Sequence, residues 1–198
     1  MGLTIGVLVF DGAEELDFVG PWEVLTVAAM LKPGDRIVTI AERPGPVRCA
    51  KGLRVLPDHT FADAPPLDVV VVPGGEATIR EVDNPALIGW LAEAGARCRW
   101  VTSVCTGAQL LHRAGFLRGR CATTHWMFID GLRAMGDGVT VREHVRFVRD
   151  GNVVTSAGVS AGIDMALWLV GQMHDPGFAR LVQRGIQYDP APPYQAEA

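Results

Sequence analysis

The chain has 198 residues, 48% hydrophobic and 20% charged, with a formal net charge of -4. That length and apolar fraction suit one globular domain with a sizeable core. No basic run and no membrane-length apolar run are present, which argues against nucleic-acid and membrane partners.

In chain order, Leu3 to Phe10 reads as a strand buried on both faces, because it is nearly all apolar and β-branched. Met1 to Phe10 has no basic start and no small-residue cleavage pattern, so no secretion signal is expected and a cytoplasmic location is the expectation. Asp11-Gly12 breaks the strand. Pro21 suits a first helical position, and Trp22, Val24, Leu25, Ala28 and Ala29 supply an apolar face up to Pro33-Gly34. Arg36 to Ala41 is a second strand, and Leu53 to Leu56 is a short one beyond a turn-rich excursion. Asp68 to Val72 is another buried strand, ending in Pro73-Gly74-Gly75. A helix is predicted from Asn84-Pro85 to about Arg97.

The apolar run ending at Val104 turns abruptly at Cys105 into helix-forming residues that stop near Gly115. Ala122 to His125 is a short extended piece, and Trp126 to Met135 looks helical. Arg146 to Arg149 and Asn152 to Thr155 form a hairpin around Asp150-Gly151. Helices follow over Ser160 to Met173 and Pro176 to Tyr188. Residues 1–188 then make one α/β domain, and 189–198 are a Pro- and Ala-rich surface tail. Alternating strands and helices predict a mostly parallel sheet covered on both faces, with ligands bound beyond the carboxyl ends of its strands.

Three chemically interesting segments fall at those ends. Cys105 sits between a strand and a helix with small residues, Ser103 and Gly107, two positions to either side. That is the pattern of a nucleophile elbow. A free cysteine is commonly a small buried hydrophobe. At a helix start, however, N–H groups and the helix dipole favour the thiolate, so a lowered pKa is expected for Cys105. Asp17 follows the first strand among Leu16, Phe18 and Val19. A carboxylate near a helix start is commonly a cap. Apolar neighbours instead predict a raised pKa and a proton available to the sulfur; Glu15 is the next candidate. Gly74 and Gly75 offer side-chain-free N–H groups for an oxyanion hole. The Thr106 N–H is a further donor, and its hydroxyl a place to hold water. His125, in a polar Thr-Thr-His turn, is the obvious general base. Cys49, Cys98 and Cys121 form no C-x-x-C pair, so neither a zinc site nor disulfides are expected.

The Pro73-Gly74-Gly75 turn, the Ser103-Val104-Cys105-Thr106-Gly107 elbow, the Ala122 to His125 segment and the Ala161-Gly162-Ile163-Asp164 helix start together resemble the ThiJ/PfpI superfamily. The resemblance covers essentially the whole chain. It implies a flavodoxin-like α/β sandwich, usually a homodimer. Leu16-Asp17 with Gly20-Pro21, Pro66 to Val69, Trp100 to Gly107, Thr123 to Trp126 and Ala191-Pro192-Pro193 look most like its isocyanide hydratase branch. That likeness implies Cys105 as nucleophile, Asp17 as acid/base partner and Thr106 as a binding or water-positioning residue. It groups Gly74, Gly75, Thr106 and Val159 around a small-molecule substrate, with no metal and no cofactor. The branch with peptidase-like features has His after the cysteine; here Thr106 argues against peptide hydrolysis. The readings left open are hydration of an isocyanide, cofactor-free glyoxalase or deglycase chemistry on α-oxoaldehydes, and a non-enzymatic redox or ligand sensor. The superfamily's sensor domains precede a helix-turn-helix region, which is not expected here.

Overall fold

A computed structural model of the chain describes residues 2–191. The strands are β1 (Thr4–Leu8), β2 (Arg36–Ala41), β3 (Val47–Arg48), β4 (Arg54–Val55), β5 (His59–Thr60), β6 (Val69–Val72), β7 (Trp100–Val104), β8 (Cys121–Ala122), β9 (Thr140–Val141), β10 (Phe147–Asp150) and β11 (Val153–Ser156). The helices are α1 (Glu15–Leu31), α2 (Thr78–Glu81), α3 (Pro85–Arg97), α4 (Gly107–Arg113), α5 (Ile129–Ala134), α6 (Ala161–Met173) and α7 (Pro176–Gly185).

One seven-stranded sheet runs β10-β11-β7-β6-β1-β2-β5. Its pairs are parallel except β10 with β11, so the expected mostly parallel, flavodoxin-like sandwich is what forms. The central strands explain themselves. Val69, Val70, Val71 and Val72 are fully buried, as are Val7, Leu8, Ile40 and Val101, which fits β-branched and apolar runs covered on both faces. α1, α6 and α7 pack together in one layer, and α2, α3 and α4 in another. Leaving β1, the chain steps to β2 on one side and later reaches β6 on the other, so a crevice opens beside the carboxyl end of β1.

Four sequence expectations shift. The first helix starts at Glu15, so Pro21 lies inside it rather than at its first position. Phe18, Val24, Leu25 and Ala28 are buried along it, and this apolar face outweighs one missing N–H donor. Residues 126–135 split into a 3₁₀ turn (Trp126–Phe128) and α5. The short strand near Leu53 pairs only with β3 and stays outside the main sheet. The last helix ends at Gly185. Of the predicted tail, residues 192–198 lie outside the described residues.

Candidate active site

The centre of the site is the step from β7 to α4. Cys105 has φ +58°, in the left-handed region. For a residue carrying a Cβ that conformation costs roughly 1–2 kcal/mol, so it must be held. Its N–H donates to the carbonyls of Ser156 (3.2 Å) and Ala157 (3.1 Å), at the end of β11. Its carbonyl accepts from the Thr124 hydroxyl at 2.8 Å. The residue is 6% exposed.

Asp17 reaches the elbow from the first turn of α1 and is fully buried. Its Oδ2 accepts from the Gly74 N–H at 2.9 Å. Its Oδ1 is buried with no hydrogen-bond partner among the described residues. Burial, first, and then the nearby Glu14 charge push its pKa up to about 7, against the Gly74 hydrogen bond and the nearby Cys105 thiol and Val159 N–H, which hold it down. A carboxyl able to hold a proton near neutrality is what the apolar neighbours of Asp17 predict.

The thiol is a correction. Burial, and next the Asp17 charge, push Cys105 up to about 12. The hydrogen bonds from Thr106 and the Val159 N–H act the other way but do not prevail. The N–H groups at the start of α4 act in the expected direction, but burial of the sulfur and the facing Asp17 charge outweigh them. Burial and the Asp17 carboxylate thus both favour the thiol form of Cys105 over the thiolate.

Gly74 and Gly75 are also placed differently from an oxyanion hole. The Gly74 N–H is committed to Asp17, and the Gly75 N–H donates to the Thr106 hydroxyl at 2.9 Å. That hydroxyl in turn donates to the Gly75 carbonyl at 3.1 Å, so Thr106 locks the glycine turn. A Cβ on Gly74 would come within 2.5 Å of the Thr106 nitrogen and hydroxyl, which is why a glycine stands there. The N–H groups left facing the sulfur are those of Thr106 and Val159. Val159 has φ +48°, a rare conformation for a β-branched residue, and this aims its N–H at the pair. Val159 is thus placed at the site, as the family resemblance implies, through its backbone N–H rather than its side chain.

His125 does not join the pair. Its Nδ1 accepts from the Met127 N–H at 3.3 Å. Its ring packs so closely on Gly158 that a Cβ there would clash. No hydrogen bond links His125 to Cys105 or Asp17 among the described residues, and burial lowers its pKa. Glu15 is engaged elsewhere, accepting from the Lys51 N–H at 2.6 Å. Sequence reasoning missed Thr124, which sits unremarked beside the more eye-catching histidine. A cleft of about 760 Å³ lies beyond β1 and β2 among Phe10, Glu42, Arg80 and Asn84, and Cys105 does not line it. Its carboxylates are already satisfied: the Asn84 amide donates to both Glu42 (2.7 Å) and Glu81 (2.8 Å). The candidate nucleophile thus lies apart from this cleft, at the elbow beside Asp17. No group of three or more metal-ligating side chains occurs among the described residues, and no helix among them is long and apolar enough to cross a membrane.

These features define a class: a doubly wound α/β domain with a cysteine on a strained elbow, served by a buried acid from the first helix. The DJ-1/PfpI family model matches residues 4–172, and the chain belongs to that family. It is 39% identical to an isonitrile hydratase from Pseudomonas putida over 99% of this chain and 83% of that protein. It is 32% identical to the HTH-type transcriptional regulator CdhR of Pseudomonas aeruginosa over 87% of this chain and 51% of that protein. A crystal structure of a THiJ/PfpI family protein from Pseudomonas syringae superposes with a TM-score of 0.92 at 34% identity, covering 100% of this chain and 80% of the other.

Proposed function

We propose that the protein is a cytoplasmic, homodimeric isocyanide hydratase, converting R–N≡C and water to an N-substituted formamide. The observation that carries the reading is the buried Asp17 carboxyl, titrating near 7 and electrostatically coupled to the elbow thiol. The 39% identity to an isonitrile hydratase supports the same reading.

The terminal carbon of an isocyanide accepts a nucleophile and then needs a proton, and one thiol with one neighbouring acid supplies both. Asp17 takes the proton of Cys105 as the sulfur attacks that carbon, forming the C–S bond. The same proton passes from Asp17 to the carbon, giving a thioimidate, Cys–S–CH=N–R. Water then adds to this carbon, one of its protons going to nitrogen. The C–S bond breaks as the carbonyl forms, and the remaining water proton returns to sulfur. The Thr106 and Val159 N–H groups stabilise the sulfur while it carries charge.

The assay is incubation with an aryl isocyanide, following the formamide. Cys105→Ala removes the attacking atom and abolishes turnover. Asp17→Asn removes the proton carrier and lowers kcat by roughly 10²–10⁴-fold. Full activity of Cys105→Ala rules the mechanism out. Methylglyoxal in a parallel assay tests the glyoxalase reading; turnover of it with none of the isocyanide reverses the assignment. Gel filtration with light scattering reads the dimer.

A further inference from the structure

We propose that Thr124 is the positioning residue of the nucleophile: its hydroxyl clamps the Cys105 carbonyl and so fixes the left-handed turn that aims the sulfur at Asp17. The inference rests on Cys105 being the nucleophile, but not on which substrate it attacks.

The elbow is gripped from two sides. The Cys105 N–H is tied to the end of β11 through Ser156 and Ala157. Its carbonyl is tied at 2.8 Å to a side chain outside the main sheet, that of Thr124, which is 1% exposed. Thr124 is itself rigidly mounted. The Thr123 N–H before it donates to the Thr155 hydroxyl (2.8 Å), and the Thr123 hydroxyl to the Arg142 carbonyl (2.7 Å). β8, two residues upstream, pairs with β9 in a separate small ladder. The His125 ring after it is wedged against Gly158. A residue with φ +58° returns toward ordinary backbone angles once its carbonyl is free, and a turn about φ swings the Cβ and sulfur with it. Hence, within the Thr-Thr-His segment, the threonine rather than the histidine serves the sulfur, through the backbone.

The test measures the rate of Cys105 carbamidomethylation by iodoacetamide on the full chain. Peptide mass spectrometry separates it from Cys49, Cys98 and Cys121. In the wild type, Asp17→Asn is expected to change this rate on the order of tenfold, because Asp17 handles the thiol proton. In a Thr124→Val background the same Asp17→Asn change should shift it by less than about twofold, since the sulfur no longer faces Asp17. Thr124→Ser keeps the hydroxyl and must restore the tenfold response. A tenfold Asp17 effect that persists in Thr124→Val overturns the proposal, and so does its loss in Thr124→Ser. If the valine variant does not fold, Thr124→Ala is read the same way, and the serine variant remains decisive. Absence of formamide formation by the wild type would instead remove the hydratase reading and leave this result standing, because alkylation needs no isocyanide.

Discussion

A carboxyl group with no exposure and one unpartnered oxygen is a liability to the fold that carries it. Asp17 has an ordinary value of 3.8 and a folded value of about 7. Between those pH values the folded chain binds more protons than the unfolded one, so stability falls as pH rises through the window and levels off above it. At 1.36 kcal/mol per tenfold change, the full cost is on the order of 4 kcal/mol. Asp17→Asn keeps an oxygen for the Gly74 N–H and carries no charge. It should therefore raise Tm at pH 8 by roughly 8–16 °C, with the gap closing toward pH 4. Thermal scans at both pH values check this, and an unchanged Tm at pH 8 contradicts the account. The variant predicted to lose turnover is thus predicted to be the more stable one, as expected where a site holds an unfavourable group for its chemistry. Asp17 and Cys105 were both legible in the sequence, from apolar flanks and from the strand-to-helix switch. The charge state of the thiol was not. It depends on how deep the sulfur lies and on which charge faces it, and neither is written in the local pattern.

At the scale of elements, the site is a meeting of four connections: β1 to α1, β6 to α2, β7 to α4 and β11 to α6. The strands themselves were readable because four or more consecutive apolar or β-branched residues mark a strand buried on both faces. Of the two-residue ladders, β4 and β8 were touched by the short extended stretches at Leu53 to Leu56 and Ala122 to His125, but their partners β3 and β9 were not, since two residues carry no period. The Thr123-Thr124 segment that holds the elbow follows β8 directly. Contact between connections is also why Gly74 and Thr106 interlock. A methyl group at Gly74 meets backbone nitrogen and hydroxyl at 2.5 Å, and backbone does not rotate out of the way. Gly74→Ala is expected to cost about 1–3 kcal/mol in folding stability, and to displace the N–H that anchors Asp17. Urea denaturation reads the first effect. The second appears as loss of the Asp17-linked response of Cys105 to iodoacetamide. A Gly74→Ala protein with the wild-type midpoint and response would mean that the turn is slacker than its contacts indicate.

Across the whole molecule, chemistry and cohesion sit at opposite edges of the sheet. The elbow, Asp17 and the glycine turn lie beyond the carboxyl ends of β7, β1 and β6. The amino ends of β1 and β2 carry a tie between distant parts of the chain: Asp35 accepts from the Leu3 N–H at 2.8 Å and pairs with His174 at 2.9 Å, just past the end of α6. Both side chains of that pair are only 10% exposed. Asp68 makes a parallel tie, accepting from the Thr4 N–H at 2.8 Å. Removing Asp35 leaves two sheltered donors without partners, a cost of about 2–4 kcal/mol. For a chain of this length that lowers Tm by roughly 5–15 °C. Because the sheet between the edges is closely packed and parallel throughout its middle, the loss is expected to loosen the seam between the chain start and α6 without moving the elbow. Asp35→Ala should therefore melt early while Cys105 is alkylated at the wild-type rate well below the transition. A change in that rate at temperatures where the variant is fully folded would show that the two edges are mechanically coupled through β1, and that the division between them is false.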